Sequence, residues 1–243
     1  MSQLACKTLR AQSVTTADML NDLSRNTVYQ QHPSADLNTL FRRRPFQGAD
    51  PDGAEFLFVG LDANYAADLQ TTPVFRSILE YHADGISFWR RHGVHHPFLL
   101  PTYKGDGKRY HQNFARIGFT ADDAERVSFL ELLHVPTVGR SKLEVGDLAS
   151  EHMAKINSLV TTGAPRHAFL SASVTRLMVQ SKQFGWLCPP KATADPLPVL
   201  YSRGATKVYL HLHFSNYGRF QARLEREALA IARVAGKAIS SCR

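Results

Sequence analysis

The sequence predicts an α/β fold, a three-layer sandwich built on a central four-stranded parallel sheet. Two observations predict it. Four short apolar segments bounded by turn-forming residues read as buried strands, and between them lie patterns of apolar residues at three- and four-residue spacing that read as helices. Strands that alternate with helices favour a parallel sheet, because each crossover helix covers one of its faces. At 243 residues, 44% of them hydrophobic, the chain can bury one sizeable core, so residues 1–243 are expected to form a single domain.

The first fifty residues are polar and end in Arg42-Arg43-Arg44-Pro45; residues 1–50 are expected to pack as helical or irregular structure around the core. After Pro51-Asp52-Gly53, the apolar run 56–61 reads as the first strand. A helix is expected over 73–82, where Pro73 suits a first turn because its missing N–H would have no helical partner there. The second strand begins at Val127 and runs to about Val135. Helical spacing over 148–160 and 171–180 flanks a third strand at 167–170. The fourth, 207–213, is rich in aromatic, β-branched and leucine residues that fit a pleated surface. Two long stretches containing Gly and Pro, 93–107 and 185–204, interrupt this order, and loops of that length tend to be functional or mobile.

Composition narrows the function classes. No run of about 18 apolar residues is present to cross a bilayer, and residues 1–16 lack the basic-then-apolar order of a secretory signal, so a cytoplasmic location without membrane association is expected. Cys6, Cys188 and Cys242 are scattered and odd in number, which argues against disulfides and against a cysteine-bound metal. His92, His95 and His96 lack an acidic or cysteine partner at ligand spacing and read as an ordinary loop. No metal or organic cofactor is expected. The formal charge of +8 suits a polyanionic partner, since phosphates attract Lys and Arg beyond the range of specific contacts. Residues 201–243 hold eight basic and two acidic residues and so carry six of the eight net charges.

In an open parallel sheet, ligands bind beyond the carboxyl ends of the strands. The first strand runs into Gly60-Leu61-Asp62-Ala63-Asn64-Tyr65, a glycine-led turn that delivers a carboxylate able to polarise a water, or simply to bond the turn. The last strand ends in His211-Leu212-His213-Phe214-Ser215-Asn216, where a histidine can donate to a leaving group that gains negative charge, and Ser215 or helix-start amides can hold phosphate. Two structural histidines are the alternative.

The order of these motifs resembles the uracil-DNA glycosylase superfamily, of which the chain looks like a divergent member over about residues 55–220. The family forms Gly-Gln-Asp-Pro-Tyr-His, Leu-Leu-Leu-Asn and His-Pro-Ser-Pro stand against Gly60-Leu61-Asp62-Ala63-Asn64-Tyr65, Glu131-Leu132-Leu133-His134 and His213-Phe214-Ser215-Asn216. A literal His32-Pro33-Ser34 precedes the first strand, follows no apolar run and is set aside. The resemblance implies that Asp62 activates the attacking water and that His213 stabilises the departing base. It places Leu61, Tyr65, Phe119 and His134 around the base, with Tyr65 blocking or stacking. Proline is absent after Asp62 and after His213, and His134 stands where the family has its base-reading Asn. A neutral imidazole offers its donor and acceptor from opposite ring edges, so uracil is not the expected substrate and a purine such as hypoxanthine is preferred.

At about 100° per residue, Arg219, Arg223, Arg226, Arg233 and Lys237 share a quarter of a helix circumference, opposite Leu224, Ala228, Ile231 and Ala235. That helix follows His213 directly, so its basic row would flank the pocket and hold the phosphates of a strand whose base has flipped out. Ser215, Asn216 and Tyr217 stand where the family places its duplex-penetrating loop, with Tyr217 filling the vacated stack. The expected function is excision of a damaged or deaminated base from DNA by a monomeric, cofactor-free glycosylase. Two alternatives stay open: a non-catalytic nucleic-acid-binding protein of the same fold, and an unrelated α/β protein that binds a nucleotide at the same strand ends.

Overall fold

The computed structural model describes residues 29–139, 142–188 and 195–237. In chain order the elements are β1 (Gln30–Gln31), α1 (Ala35–Arg43), β2 (Phe46–Gly48), β3 (Phe56–Gly60), β4 (Asn64–Tyr65), α2 (Phe75–Ala83), α3 (Gly85–His92) and α4 (Lys108–Ala115). They continue with β5 (Val127–Glu131), β6 (Thr137–Val138), α5 (Ser150–Thr162), β7 (His167–Ser171), α6 (Ala172–Gln180), β8 (Val199–Arg203), β9 (Thr206–His211) and α7 (Gln221–Val234).

The four expected strands form the inner sheet in the order β5-β3-β7-β9, all parallel. The sheet nevertheless has six strands rather than four, because β2 and β8 add antiparallel edges to β5 and β9. The β8–β9 hairpin turns through Gly204, whose φ of +57° is left-handed and costs glycine little. Neither α3 nor α4 was expected; α3 opens on Asp84, whose side chain accepts from Ser87 N–H, and closes on Gly93 at φ +67°.

Strand alternation sorts the core into two layers. Leu57, Val59, Leu130, Ala168, Leu170 and Val208 pack on one face against Met153, Ile156 and Leu159 of α5 and Val174, Leu177 and Met178 of α6. Phe56, Phe58, Phe129, Phe169 and Tyr209 face the other way, against Trp89 of α3, Phe114 of α4 and Leu224, Ala228 and Ile231 of α7. Helices thus cover both faces of the sheet. The second layer is aromatic at its centre, where Phe58 stacks on Phe169 with ring centroids 4.6 Å apart.

At the carboxyl end of the sheet a three-stranded ribbon, β1-β6-β4, lies over a smaller apolar cluster that includes Leu37, Phe41, Tyr65 and Ile78. The second strand stops at Glu131, short of the expected 135; Leu132 N–H makes the last ladder bond, to Gly60 O, and Leu133 N–H bonds Leu61 O beyond the end of β3. No helix among the described residues is long and apolar enough to cross a membrane.

Candidate functional site

A cavity of about 270 Å³ opens at the carboxyl ends of β3, β5 and β9. That is slightly below the roughly 300–1,000 Å³ of sites for drug-sized ligands, and it suits a single small heterocycle. Leu61, Asp62, Tyr65, His213 and Ser215 all line it, so residues far apart in sequence meet at one place.

Asp62 sits in the turn after β3, where the Asn64 amide donates to its Oδ2 at 3.3 Å and the Thr137 hydroxyl donates to the same oxygen. Asn64 also donates to the Gly139 carbonyl at 2.5 Å, and Thr137 N–H donates to Ala63 O at 3.0 Å. The β4–β6 pairing therefore fixes the carboxylate in place. Tyr65 lends a ring to the wall while its hydroxyl lies 2.7 Å from His82 Nε2.

His213 lies two residues beyond β9. Ser215 N–H donates to its Nδ1 at 3.3 Å, and the Ser215 hydroxyl lies 2.6 Å from the same nitrogen. A backbone N–H can only donate, so Nδ1 is the acceptor and the ring proton of the neutral form resides on Nε2. Burial lowers the proton affinity of His213, opposed by the Asp62 carboxylate. The loop is pinned by Asn113 of α4, whose buried amide donates to Phe214 O at 2.6 Å, and by the Asn216 side chain, which donates to His213 O at 2.8 Å.

Two residues expected at the pocket lie elsewhere. Phe119 is buried in the aromatic layer against Phe56, 5.2 Å between centroids, because the helical turn before it carries it under the sheet. His134 does not line the cavity; it is exposed, its ring 5.7 Å from that of His152, three residues past the strand end. The strand-end side chain that does line the cavity is Glu131, and the argument against uracil drawn from His134 lapses with it.

Gln47, Phe98, Tyr110, His111 and Phe129 line the cavity without a sequence signal, and so does His96, which reads from the sequence as an ordinary loop residue. His96 and His111 stack nearly parallel with centroids 3.6 Å apart, and burial holds both well below the ordinary imidazole range. They form a neutral, polar wall. His92 points instead to Glu80 on the surface, and no group of three or more His, Cys, Asp or Glu among the described residues is arranged to hold a metal ion. His32 donates to Ala66 O and Ser34 caps α1, so His32-Pro33-Ser34 is structural. Cys188 is exposed, whereas Cys6 and Cys242 lie outside the described residues.

Around the mouth, Tyr217 is 65% exposed and lies under the Arg109 guanidinium, 4.2 Å from the ring centre. Arg219 folds over Phe220, and Arg226 is exposed. The expected basic row is interrupted: Arg223 bonds Glu227 at 2.7 Å and Lys237 pairs with Asp123. Glu227 in turn accepts from Leu212 N–H at 2.5 Å, so Arg223 neutralises a buried carboxylate that holds the strand end.

These features define an open α/β protein with a small cavity, part apolar and part polar, at the carboxyl ends of its parallel strands. Compared with known proteins, the chain matches no protein-family model and no curated sequence.

Proposed function

We propose that the chain is a DNA base-excision glycosylase that hydrolyses the N-glycosidic bond of a damaged or deaminated base. The observation that carries the reading is the meeting of Asp62 and the Nε2–H tautomer of His213 on one cavity of single-base size. Asp62 orients a water and takes its proton as the water oxygen bonds to the sugar carbon. The electron pair of the breaking C–N bond leaves with the base, whose developing negative charge is met by His213 Nε2–H. His213 can fill that role while neutral, because Nδ1 accepts from Ser215 N–H and the ring proton stays on Nε2. Arg109, Arg219 and Arg226 stand at the mouth or along α7 where phosphates of a distorted strand would pass.

The test uses single-stranded and duplex oligonucleotides carrying uracil, hypoxanthine, xanthine or a mismatched thymine, with alkaline cleavage reporting each abasic product. Release of at least one base is expected, and Asp62→Asn lowers its rate more than about tenfold while DNA binding stays within about twofold. DNA binding without release from any substrate would favour the non-catalytic reading. Equal loss of rate and binding in Asp62→Asn would make Asp62 a turn-forming residue.

A further inference from the structure

The proposed chemistry leaves one wall of the cavity unused, and that wall belongs to the sheet. Across the β2–β5 pair, Gln47 stands opposite Phe129, and Glu131 is two residues beyond Phe129 on the same face. Gln47 and Glu131 are therefore diagonal neighbours, about 7–8 Å apart at their backbones, with the Phe129 ring between them. On its other side Glu131 pairs with Gly60, where a Cβ would lie 2.0 Å from Glu131 Oε2. The absence of a side chain at Gly60 is what lets the carboxyl reach over β3 into the cavity.

Both groups have unused bonding capacity. Gln47 is 7% exposed, and its Oε1 accepts from the Tyr81 hydroxyl at 3.4 Å. Among the described residues nothing accepts from its Nε2, and no donor reaches either carboxyl oxygen of Glu131. Neither group is among the buried polar atoms that lack a partner, so this spare capacity opens onto the cavity, where a ligand or water can complete it.

We propose that Glu131 and Gln47 are the specificity-determining pair of this site and read a lactam edge, a ring N–H beside a carbonyl, on a heterocyclic base. The assignment rests on the base-excision reading of the same cavity. Burial pushes the Glu131 carboxyl up to about 8, and the Asp62 carboxylate beside it adds to the effect. Tyr65 on β4, Tyr81 on α2 and Tyr110 on α4 face it as neutral hydroxyls, their ionisation opposed by burial and by Glu131 itself. His96, His111 and His213 have their proton affinities lowered by burial, so these three rings stand beside it as neutral groups. At neutral pH Glu131 is thus a carboxylic acid, with a C=O that accepts the lactam N–H and an O–H that donates to the lactam carbonyl. Gln47 Nε2 donates to a second carbonyl where the base has one. Ionised, Glu131 has acceptors alone and repels the carbonyl.

Binding of 5,6-dihydrouracil, whose ring N–H stays protonated in this range, separates this assignment from the catalytic one. Ligand-observed NMR at millimolar base compares it with its N3-methyl derivative at about pH 6.5 and about pH 9. The wild-type chain is expected to bind dihydrouracil and reject the methylated ring, with affinity falling about tenfold by pH 9 as the acid form drops to about a tenth. Glu131→Gln keeps a neutral donor–acceptor pair, so it retains binding at both pH values; Glu131→Ala loses it with circular dichroism unchanged. The assignment is overturned if no base binds, if Glu131→Ala binds as wild type does, or if Glu131→Gln keeps the pH dependence. Base release from oligonucleotides that is indifferent to Glu131 would sink the assignment and leave the glycosylase reading intact. Glu131-dependent binding without release from any oligonucleotide would do the reverse.

Discussion

Gly60 decides where Glu131 goes. The three atoms nearest a methyl group there all belong to the Glu131 carboxyl, the far end of a flexible side chain, so Gly60→Ala is expected to displace that side chain and leave β3 and β5 paired. Overpacking of this kind costs about 1–3 kcal/mol, less where the displaced group is flexible. Gly60→Ala is therefore expected to lower the melting temperature by only a few degrees while weakening dihydrouracil binding at least about tenfold, read by the same NMR titration. Unchanged binding would place the carboxyl outside the recognition surface. Asp62 and His213 were legible in the sequence because each ends an apolar strand, and strand ends are where ligands bind in such sheets. Glu131 has the same signature, an acid closing the buried run Val127–Glu131, yet motif matching passed over it for His134. A motif fixes the order of residues but not the residue at which a strand stops, and here β5 stops at Glu131, level with Gly60 at the end of β3.

At the scale of elements, α7 shows how charge periodicity can mislead. The arginine spacing is real and the apolar stripe is buried as expected: Leu224, Ala228, Ile231 and Ala235 are all at most 5% exposed. What periodicity cannot show is that Glu227, one turn beyond Arg223, is buried and needs a counter-charge. Arg219→Ala with Arg226→Ala is expected to weaken binding to every duplex and flatten its salt dependence, a slope change of about one to two. Arg223→Ala is expected instead to lower the melting temperature, because it strands a buried carboxylate that holds Leu212 N–H. Filter binding across a salt series and thermal melting separate these roles; a double variant with unaltered salt slope would make α7 a solvated face. The edge strands were illegible for a different reason. β2 spans three residues, too few for a period to register, and β8 follows Pro198 and ends in Ser202-Arg203, which reads as loop. The one available signal was Gly204-Ala205 between two runs rich in aromatic and β-branched residues, the mark of a two-residue hairpin.

For the molecule as a whole, burial of imidazoles and of one carboxyl sets opposing pH limbs on stability. His82, His95 and His211 have their proton affinities lowered by burial to about 3, and His96 and His111 are lowered well below the ordinary value by the same cause. In the unfolded chain each takes a proton near pH 6.5. Below that pH the unfolded state binds more protons than the folded one, so stability falls progressively as pH drops from about 6.5 toward 3. Glu131 acts in the opposite sense. Its folded value of about 8 lies above the ordinary 4.5, so the folded state holds the extra proton between those values and stability falls as pH rises through them. Below about pH 6.5 five histidines outweigh one carboxyl; between about 6.5 and 8 the carboxyl acts without them. The melting temperature is therefore expected to peak near about pH 6.5, with a steep acid limb and a shallow alkaline one. Glu131→Gln should flatten the alkaline limb up to about pH 8 and leave the acid limb in place, measured by differential scanning calorimetry in a buffer series. An alkaline limb that survives Glu131→Gln would mean that the carboxyl is already ionised at neutral pH. In that state it could not donate to a base carbonyl, so the stability profile and the binding profile of Glu131 must move together.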